Sequence, residues 1–389
     1  MGENMRKKRV LLLSEGFGTG HTQAAYALAA GMKRLDPNLQ CRVIELGKFL
    51  NPKMGPLILS AYRKTVSSSP KLVGMLYRKQ YNKSLNRLTK LALHRLFYTQ
   101  AAQVIKQLKP DLIVCTHPFP NAVISRLKRQ GIPVPLVTLI TDYDVHGTWV
   151  NKEVNQYLVS TSRVKNLLLR RNVPSSSIQV TGIPVHPNFW ERADKEQLLQ
   201  ELGLRRMPTV LIMSGGWGVS FNKEMINLLI SWADQIQLIL CTGSNEKLLH
   251  KMKSSPVLNH PNIHLLGYTN QIDKWMDVSD LLITKPGGMT CTEGLAKGIP
   301  MLFYEVIPGQ EEENGQYFVE LGSAEMISSP AVLDRWHHRL IHEYESVENS
   351  RLKSLVSPEP GSEPFHCAQQ VYELLRQWSP QSSSGSSRL

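Results

Sequence analysis

The stretch that most constrains this chain runs over residues 280–315 and reads DLLITKPGGMTCTEGLAKGIPMLFYEVIPGQEEENG. Asp280 to Thr284 packs aliphatic residues between turn formers and reads as a buried strand. That strand stops at Pro286-Gly287-Gly288, and Met289 to Lys297 carries a helix pattern closed by Gly298 and Pro300. Two glycines lack the Cβ atoms that would block an anion, and the N–H groups and dipole of a helix start favour a diphosphate there. Thr290 adds a hydroxyl to this cradle. Glu293, one turn on, is placed to accept hydrogen bonds from vicinal hydroxyls such as those of a ribose. After a further strand, Met301 to Tyr304, the cluster Gln310-Glu311-Glu312-Glu313-Asn314 offers amides and carboxylates that suit sugar hydroxyls. Taken as two separate pieces, a tight αβ loop followed by a solvated acidic loop explains the same residues equally well.

Taken together and in order, Lys285-Pro286-Gly287-Gly288, Thr290, Glu293, Pro308-Gly309-Gln310-Glu311 and Asn314 resemble the nucleotide-sugar half of a family of inverting GT-B enzymes. That family includes the bacterial processive diacylglycerol glucosyltransferases, the plant monogalactosyldiacylglycerol synthases and the related peptidoglycan lipid II synthase. The resemblance implies that Gly287, Gly288, Met289 and Thr290 hold the diphosphate of UDP, Glu293 the ribose, and Gln310 with Glu311 the transferred sugar, Asn314 belonging to the same donor set. The lipid II synthase has two adjacent glutamines where this chain has Gln-Glu, which favours a plain hexose over N-acetylglucosamine.

The bulk composition fits two domains of ordinary size in 389 residues, with 42% hydrophobic and 20% charged residues. No apolar run approaches the ~20 residues that span a bilayer. The apolar core of the N-terminus, Val10 to Leu13, is too short for a signal peptide, so a cytoplasmic protein is expected. Cysteines at 41, 115, 241, 291 and 367 show no CxxC spacing and read as reduced, mostly buried thiols, not as a disulfide frame or metal site.

The net charge of +13 is unevenly spread: between Glu45 and Asp111 there is no acidic residue, while thirteen Lys and Arg fall in that interval. Within it, Tyr81, Leu85, Leu88, Ala92 and Leu96 share one helical face, with Lys79, Lys83, Arg87, Lys90 and His94 opposite. A solvated surface helix would show such a face, but normally with both signs of charge. Flanked by Leu57-Ile58-Leu59, Tyr62, Leu76 and Tyr77, the block over residues 50–98 has what interfacial binding to an anionic membrane needs. No RNA- or DNA-binding module is recognisable, so nucleic acid is not expected as a partner.

Along the chain, residues 9–13 form a first strand, and Gly16-Phe17-Gly18-Thr19-Gly20-His21 turns it into a helix from about Thr22 to Leu35. The opening is Rossmann-like, but the spacing is GxGxG and Glu45 comes too early for a ribose partner, so a dinucleotide site is not expected. A histidine at a helix start has its pKa lowered by the dipole, which suits a neutral general base; local backbone bonding alone would also explain it. In the resembling family this loop, with Gly18, Gly20 and His21, faces the acceptor. Further strands at Leu112 to Cys115 and Leu136 to Ile140 lead into His117 and into Thr141-Asp142-Tyr143-Asp144-Val145-His146-Gly147-Thr148-Trp149. Strands alternating with helices imply a parallel sheet, whose ligand edge carries such loops. Asp142-x-Asp144 matches a motif that binds a nucleotide-sugar metal in another glycosyltransferase architecture, but the nucleotide loop lies 140 residues later. The run is instead similar to the acceptor-side loop of the diacylglycerol glycosyltransferases, which implies that Asp142 orients the base or acceptor, His146 binds the acceptor, and Trp149 stacks on sugar or lipid.

Thr181-Gly182-Ile183-Pro184-Val185-His186-Pro187 reads as a domain linker with the boundary near residue 188. In the second half, Gly215 and Gly216 lie after a strand at Thr209 to Met213, Gly243 after one at Gln237 to Cys241, and Tyr268 after one at Ile263 to Leu265. These loops would line the nucleotide, the last through backbone contacts to uracil. A helix from His366 to Trp378 is expected to finish the fold by packing back on the first domain, and residues 379–389, rich in Ser and Gly, to be disordered. The expected architecture is therefore α/β GT-B: an acceptor domain over residues 1–188 and a UDP-sugar domain over 189–378 facing it across a cleft. The resemblance implies metal-independent transfer of a hexose from a UDP-sugar to diacylglycerol at the inner face of the cell membrane, with no cofactor. The alternatives are a polyprenyl or small soluble acceptor, or a non-catalytic UDP-sugar-binding protein at the membrane surface.

Overall fold

The computed structural model describes residues 6–16, 18–53, 55, 60, 99–215, 223–353 and 363–378. Its first sheet holds β1 (Arg9–Ser14), β2 (Gln40–Glu45), β3 (Leu112–Cys115), β4 (Leu136–Leu139), β5 (Gln156–Val159) and β6 (Ile178–Val180), in the order β2-β1-β3-β4-β5-β6. The second holds β7 (Thr209–Met213), β8 (Gln237–Cys241), β9 (Ile263–Leu266), β10 (Leu281–Thr284), β11 (Met301–Phe303) and β12 (Ala324–Met326), in the order β12-β11-β10-β7-β8-β9. Every strand pairing is parallel, with Val10 opposite Leu112 and Leu281 opposite Val210 marking the register at each centre. Interior strands such as β3, β4 and β10 are buried at every residue, as aliphatic runs must be when helices cover both faces. The edge strands β2 and β12 are part-exposed.

Two apolar cores flank the first sheet. One joins Leu11, Ile113 and Val159 to Trp149; the other joins Val10, Leu12 and Val114 to Val371 and Leu375. The second set shows that the helix His366–Trp378 lies on the first sheet, although it follows the second in sequence. A Cβ at Gly31 would sit 3.0 Å from that of Ala368, so the two helices cross at close range. Each aliphatic side chain buried this way contributes about 2 kcal/mol. The 189–378 span expected for the second domain therefore ends, as a packing unit, before this helix.

Two helix starts differ from the sequence expectation. The helix expected from Thr22 begins at Thr19, which puts His21 inside the first turn. The acidic cluster expected as a loop is the opening of the helix Gln310–Glu320. Gly309, at φ 111°, turns the chain, and Glu312 Oε2 accepts from its N–H at 3.2 Å. Three glutamates in the first turn then meet the positive end of the dipole.

Candidate active site

On the first sheet, three loops at the carboxyl ends of adjacent strands converge. His21 follows β1, His117 follows β3, and residues 141–149 follow β4. His21 Nδ1 lies 2.6 Å from Thr141 Oγ1, and the His117 ring stands edge-on to His21 with centroids 4.8 Å apart. Burial is the main force lowering the His21 pKa, partly opposed by the Asp142 carboxylate and the Thr116 backbone. His117 is lowered well below its usual value by burial and by His21 and His146, and its Nδ1 accepts from Phe119 N at 3.1 Å to cap the helix Pro118–Arg129. Burial pushes His146 down to about 4, and its Nδ1 lies 2.6 Å from Thr148 Oγ1. The site thus holds neutral imidazoles at neutral pH.

On the second sheet, β10 delivers its chain to the helix Gly288–Ala296, next to β7 where the strand order reverses. Ligands of open α/β sheets bind at that switch point. The first helical bond runs from Cys291 N to Gly287 O at 3.0 Å, so the N–H groups of Gly288, Met289 and Thr290 precede the ladder. Space beside Gly287 is open, and so is that beside Gly215, which holds φ +77° after β7. Glu293, part-buried one turn on, has its carboxyl pushed up to about 8 by burial and by Asp273. Glu311 is raised by burial, accepts from Ile307 N at 3.0 Å, and feels the opposing charge of Lys285. Gln310 is part-buried at the head of its helix, Gly243 holds φ +56° after β8, and Tyr268 is 67% exposed beyond β9.

The two halves meet through the segment 141–143. A Cβ at Gly288 would run into the Thr141 carbonyl oxygen. Tyr143 N donates to Asn314 Oδ1 at 2.8 Å, Asn314 Nδ2 donates to Asp142 Oδ1 at 3.3 Å, and the Tyr143 hydroxyl lies 2.9 Å from Thr292 Oγ1. The Tyr143 ring stacks on Tyr317 at 4.5 Å and meets Phe318 edge-on at 4.6 Å. A Cβ at Gly20 would touch Met289 Cγ at 3.4 Å, which sets the residue before His21 against the start of the second-sheet helix.

Comparisons with known proteins agree with this geometry. Residues 21–185 match the family model described as monogalactosyldiacylglycerol (MGDG) synthase, and residues 209–356 match the glycosyltransferase family 28 C-terminal domain. A processive diacylglycerol beta-glucosyltransferase of Staphylococcus epidermidis is 33% identical over 328 residues, covering 84% of this chain and 82% of that protein. The chain belongs to the diacylglycerol glycosyltransferase family. The relative of the same name from Bacillus subtilis is 32% identical, covering 82% of this chain and 84% of its own length. Among solved structures, MurG of Acinetobacter baumannii superposes with TM-score 0.60 at 14% identity, over 95% of this chain and 99% of that one. Anabaena HepE in complex with UDP-glucose gives 0.60 at 15%, again over 95% and 99%. Both likenesses establish the GT-B fold.

Within that family frame, several expected roles shift. Asn314 is 1% exposed and hydrogen-bonded to the segment 141–143, so it ties the halves together. Trp149 is fully buried in the core of the first sheet, 6.1 Å from the His21 ring and 6.2 Å from His146, so it backs the histidines and offers no stacking face. Gly288 owes its missing side chain to Thr141, whereas Gly287 keeps the open approach. Gly20 meets Met289, while Gly18 leaves ordinary contact distance to His21. Asp142 and Asp144 are buried, the first held by Asn314 and the second acting on His146 and Glu313. Among the described residues no cluster of His, Cys, Asp and Glu could hold a metal ion. Gly216, the basic face of Lys79, Lys83, Arg87 and Lys90, the insert over 50–98 apart from a few terminal residues, and the tail 379–389 lie outside the described residues. Sequence reasoning missed the contacts of Thr141, Tyr143 and Thr292; their hydroxyls were visible, but partners more than a hundred residues away were not.

Proposed function

We propose that the protein transfers a hexose, glucose in the first instance, from its UDP-α form to the 3-hydroxyl of diacylglycerol or of a glycosyldiacylglycerol, with inversion. The observation that carries this is the close approach of the two helix starts, where a side chain at Gly20 would meet Met289, which sets a part-buried neutral histidine beside the open space at Gly287. In the reaction His21 takes the acceptor hydroxyl proton as the new O–C1 bond forms. The C1–O bond to the diphosphate breaks with its electron pair leaving on UDP. The N–H groups of Gly288, Met289 and Thr290, with the helix dipole, stabilise the charge that develops on the departing diphosphate. Glu293 holds the ribose, Gln310 and Glu311 the sugar hydroxyls, and Gly215, Gly243 and the backbone around Tyr268 surround the rest of the nucleotide. Asp142 acts on the base through its charge.

The acid-free basic block supports peripheral docking on an anionic bilayer, where each Lys or Arg near the surface contributes about 1 kcal/mol. No helix among the described residues is long and apolar enough to cross a membrane. The test incubates the protein with radiolabelled UDP-glucose or UDP-galactose and vesicles holding diacylglycerol, either neutral or containing anionic lipid. Labelled glycolipid, formed faster on anionic vesicles and more slowly as salt rises, is expected. Label transferred only to polyprenyl or soluble acceptors would contradict the assignment.

A further inference from the structure

We propose that Thr141 is the positioning residue of the catalytic base, holding His21 through its hydroxyl while its carbonyl rests on the glycine that opens the donor helix. This rests on His21 being the base. Both halves of Thr141 are committed. Its Oγ1 lies 2.6 Å from His21 Nδ1, and its carbonyl oxygen occupies the space a side chain at Gly288 would need. Thr141 itself is buried, at 3% exposure. The residues that follow lock it from the other side, through Asp142 and Tyr143 to Asn314 and through the Tyr143 hydroxyl to Thr292. The base is therefore registered against the diphosphate cradle by one residue.

The chemistry gives this contact a purpose. When Nδ1–H donates to the Thr141 hydroxyl, the lone pair of the imidazole is on Nε2, and the ring can take a proton there from an acceptor hydroxyl. Once it has done so, the hydroxyl oxygen and the Thr116 backbone stabilise the imidazolium. The other groups acting on the ring are Asp142, which favours the charged form, and the neighbouring His117 and His146, kept neutral by burial. Among the described residues, the hydroxyl is the side-chain hydrogen bond to His21 that can be removed without changing charge.

The experiment compares Thr141→Val, Thr141→Ser and His21→Ala with the wild type in the transfer assay. Thr141→Val should lower kcat about 10-fold or more, short of the ~10² expected for His21→Ala. KM for the UDP-sugar and calorimetric UDP affinity should stay within about twofold of the wild type, as for an interaction that matters only in the chemical step. The acid limb of its kcat profile should move to lower pH, because a lost acceptor for Nδ1–H destabilises the imidazolium and lowers the base pKa. Thr141→Ser should restore both rate and profile. Wild-type kcat in Thr141→Val, with His21→Ala inactive, would overturn the positioning role alone. A Thr141→Val defect that serine does not rescue, accompanied by lost UDP affinity, would show a structural role instead. Full activity in His21→Ala would remove the base assignment itself.

Discussion

The donor and acceptor sides of this active site are built in opposite ways. The donor side is nearly continuous in sequence: one strand, two glycines and one helix place Gly287, Thr290 and Glu293, and the next strand and helix place Gln310 and Glu311. The acceptor side has no such run. His21, His117 and Thr141 come from three separate strand ends, and their contacts span as many as 120 residues. A ligand held by a helix start needs only local geometry, because the N–H groups point where the backbone puts them. A base must instead have its tautomer and rotamer fixed by neighbours, and neighbours in a parallel sheet are far apart in sequence.

The same contrast extends to the far end of the donor helix. Lys297, fully buried, donates to the carbonyls of Asn188 at 3.1 Å and Glu191 at 2.9 Å and pairs with Asp277 at 2.7 Å. The helix is thus fixed to the linker region at one end and to the segment 141–143 at the other. Changing Lys297 to Met should break this anchorage. It removes a buried ammonium from the part-buried Asp277 carboxylate and from two carbonyls, at a cost of about 3 kcal/mol in unfolding free energy by denaturant titration. A midpoint equal to that of the wild type would mean that the donor half needs no support from the linker.

Replacement of His21 separates the halves chemically. His21→Ala should lower kcat by about 10² or more while UDP affinity by calorimetry is unchanged. A matching loss of UDP binding would merge the two sides into one site. The reciprocal variant, Glu293→Ala, should weaken UDP binding by about 2 kcal/mol through lost ribose hydrogen bonds. Wild-type affinity there would remove Glu293 from the donor set.

A smaller effect comes from pH. The Glu293 carboxyl has a pKa raised to about 8, so at pH 7 it is largely protonated, whereas ribose hydroxyls are best held by the carboxylate. Binding must then release a proton, and affinity should rise about tenfold from pH 7 to pH 9 and then level off. Proton release measured by calorimetry in buffers of different ionisation enthalpy checks the sign. Uptake of a proton on binding would mean that Glu293 does not hold the ribose in its charged form.

These differences also decide what could be read from the chain beforehand. Both sheets, their parallel sense and the strand–glycine–helix turn follow from short aliphatic runs ending in glycine, so β10 and the Gly288–Ala296 helix were legible. Asn314 was not: an amide in an acidic cluster suits a sugar hydroxyl, and only the fold shows it 1% exposed against Tyr143 and Asp142. Trp149 misled for the same reason, since an aromatic next to polar residues suits stacking as well as burial. The lowered pKa of His21 was expected from the helix dipole, whereas burial is its main cause. The helix at Gln310 carried readable signals, Pro308-Gly309 ahead of three glutamates, that a loop assignment passed over.

The central claim is a single displacement, with a base on one sheet and a departing diphosphate on the other. The configuration of the product tests it most directly. Glycolipid made by the protein from UDP-α-glucose and diacylglycerol, examined by proton NMR at the anomeric position, should be entirely β. An α-linked product would require the sugar to be retained on the donor face and would contradict the roles of both His21 and the Gly288–Ala296 helix.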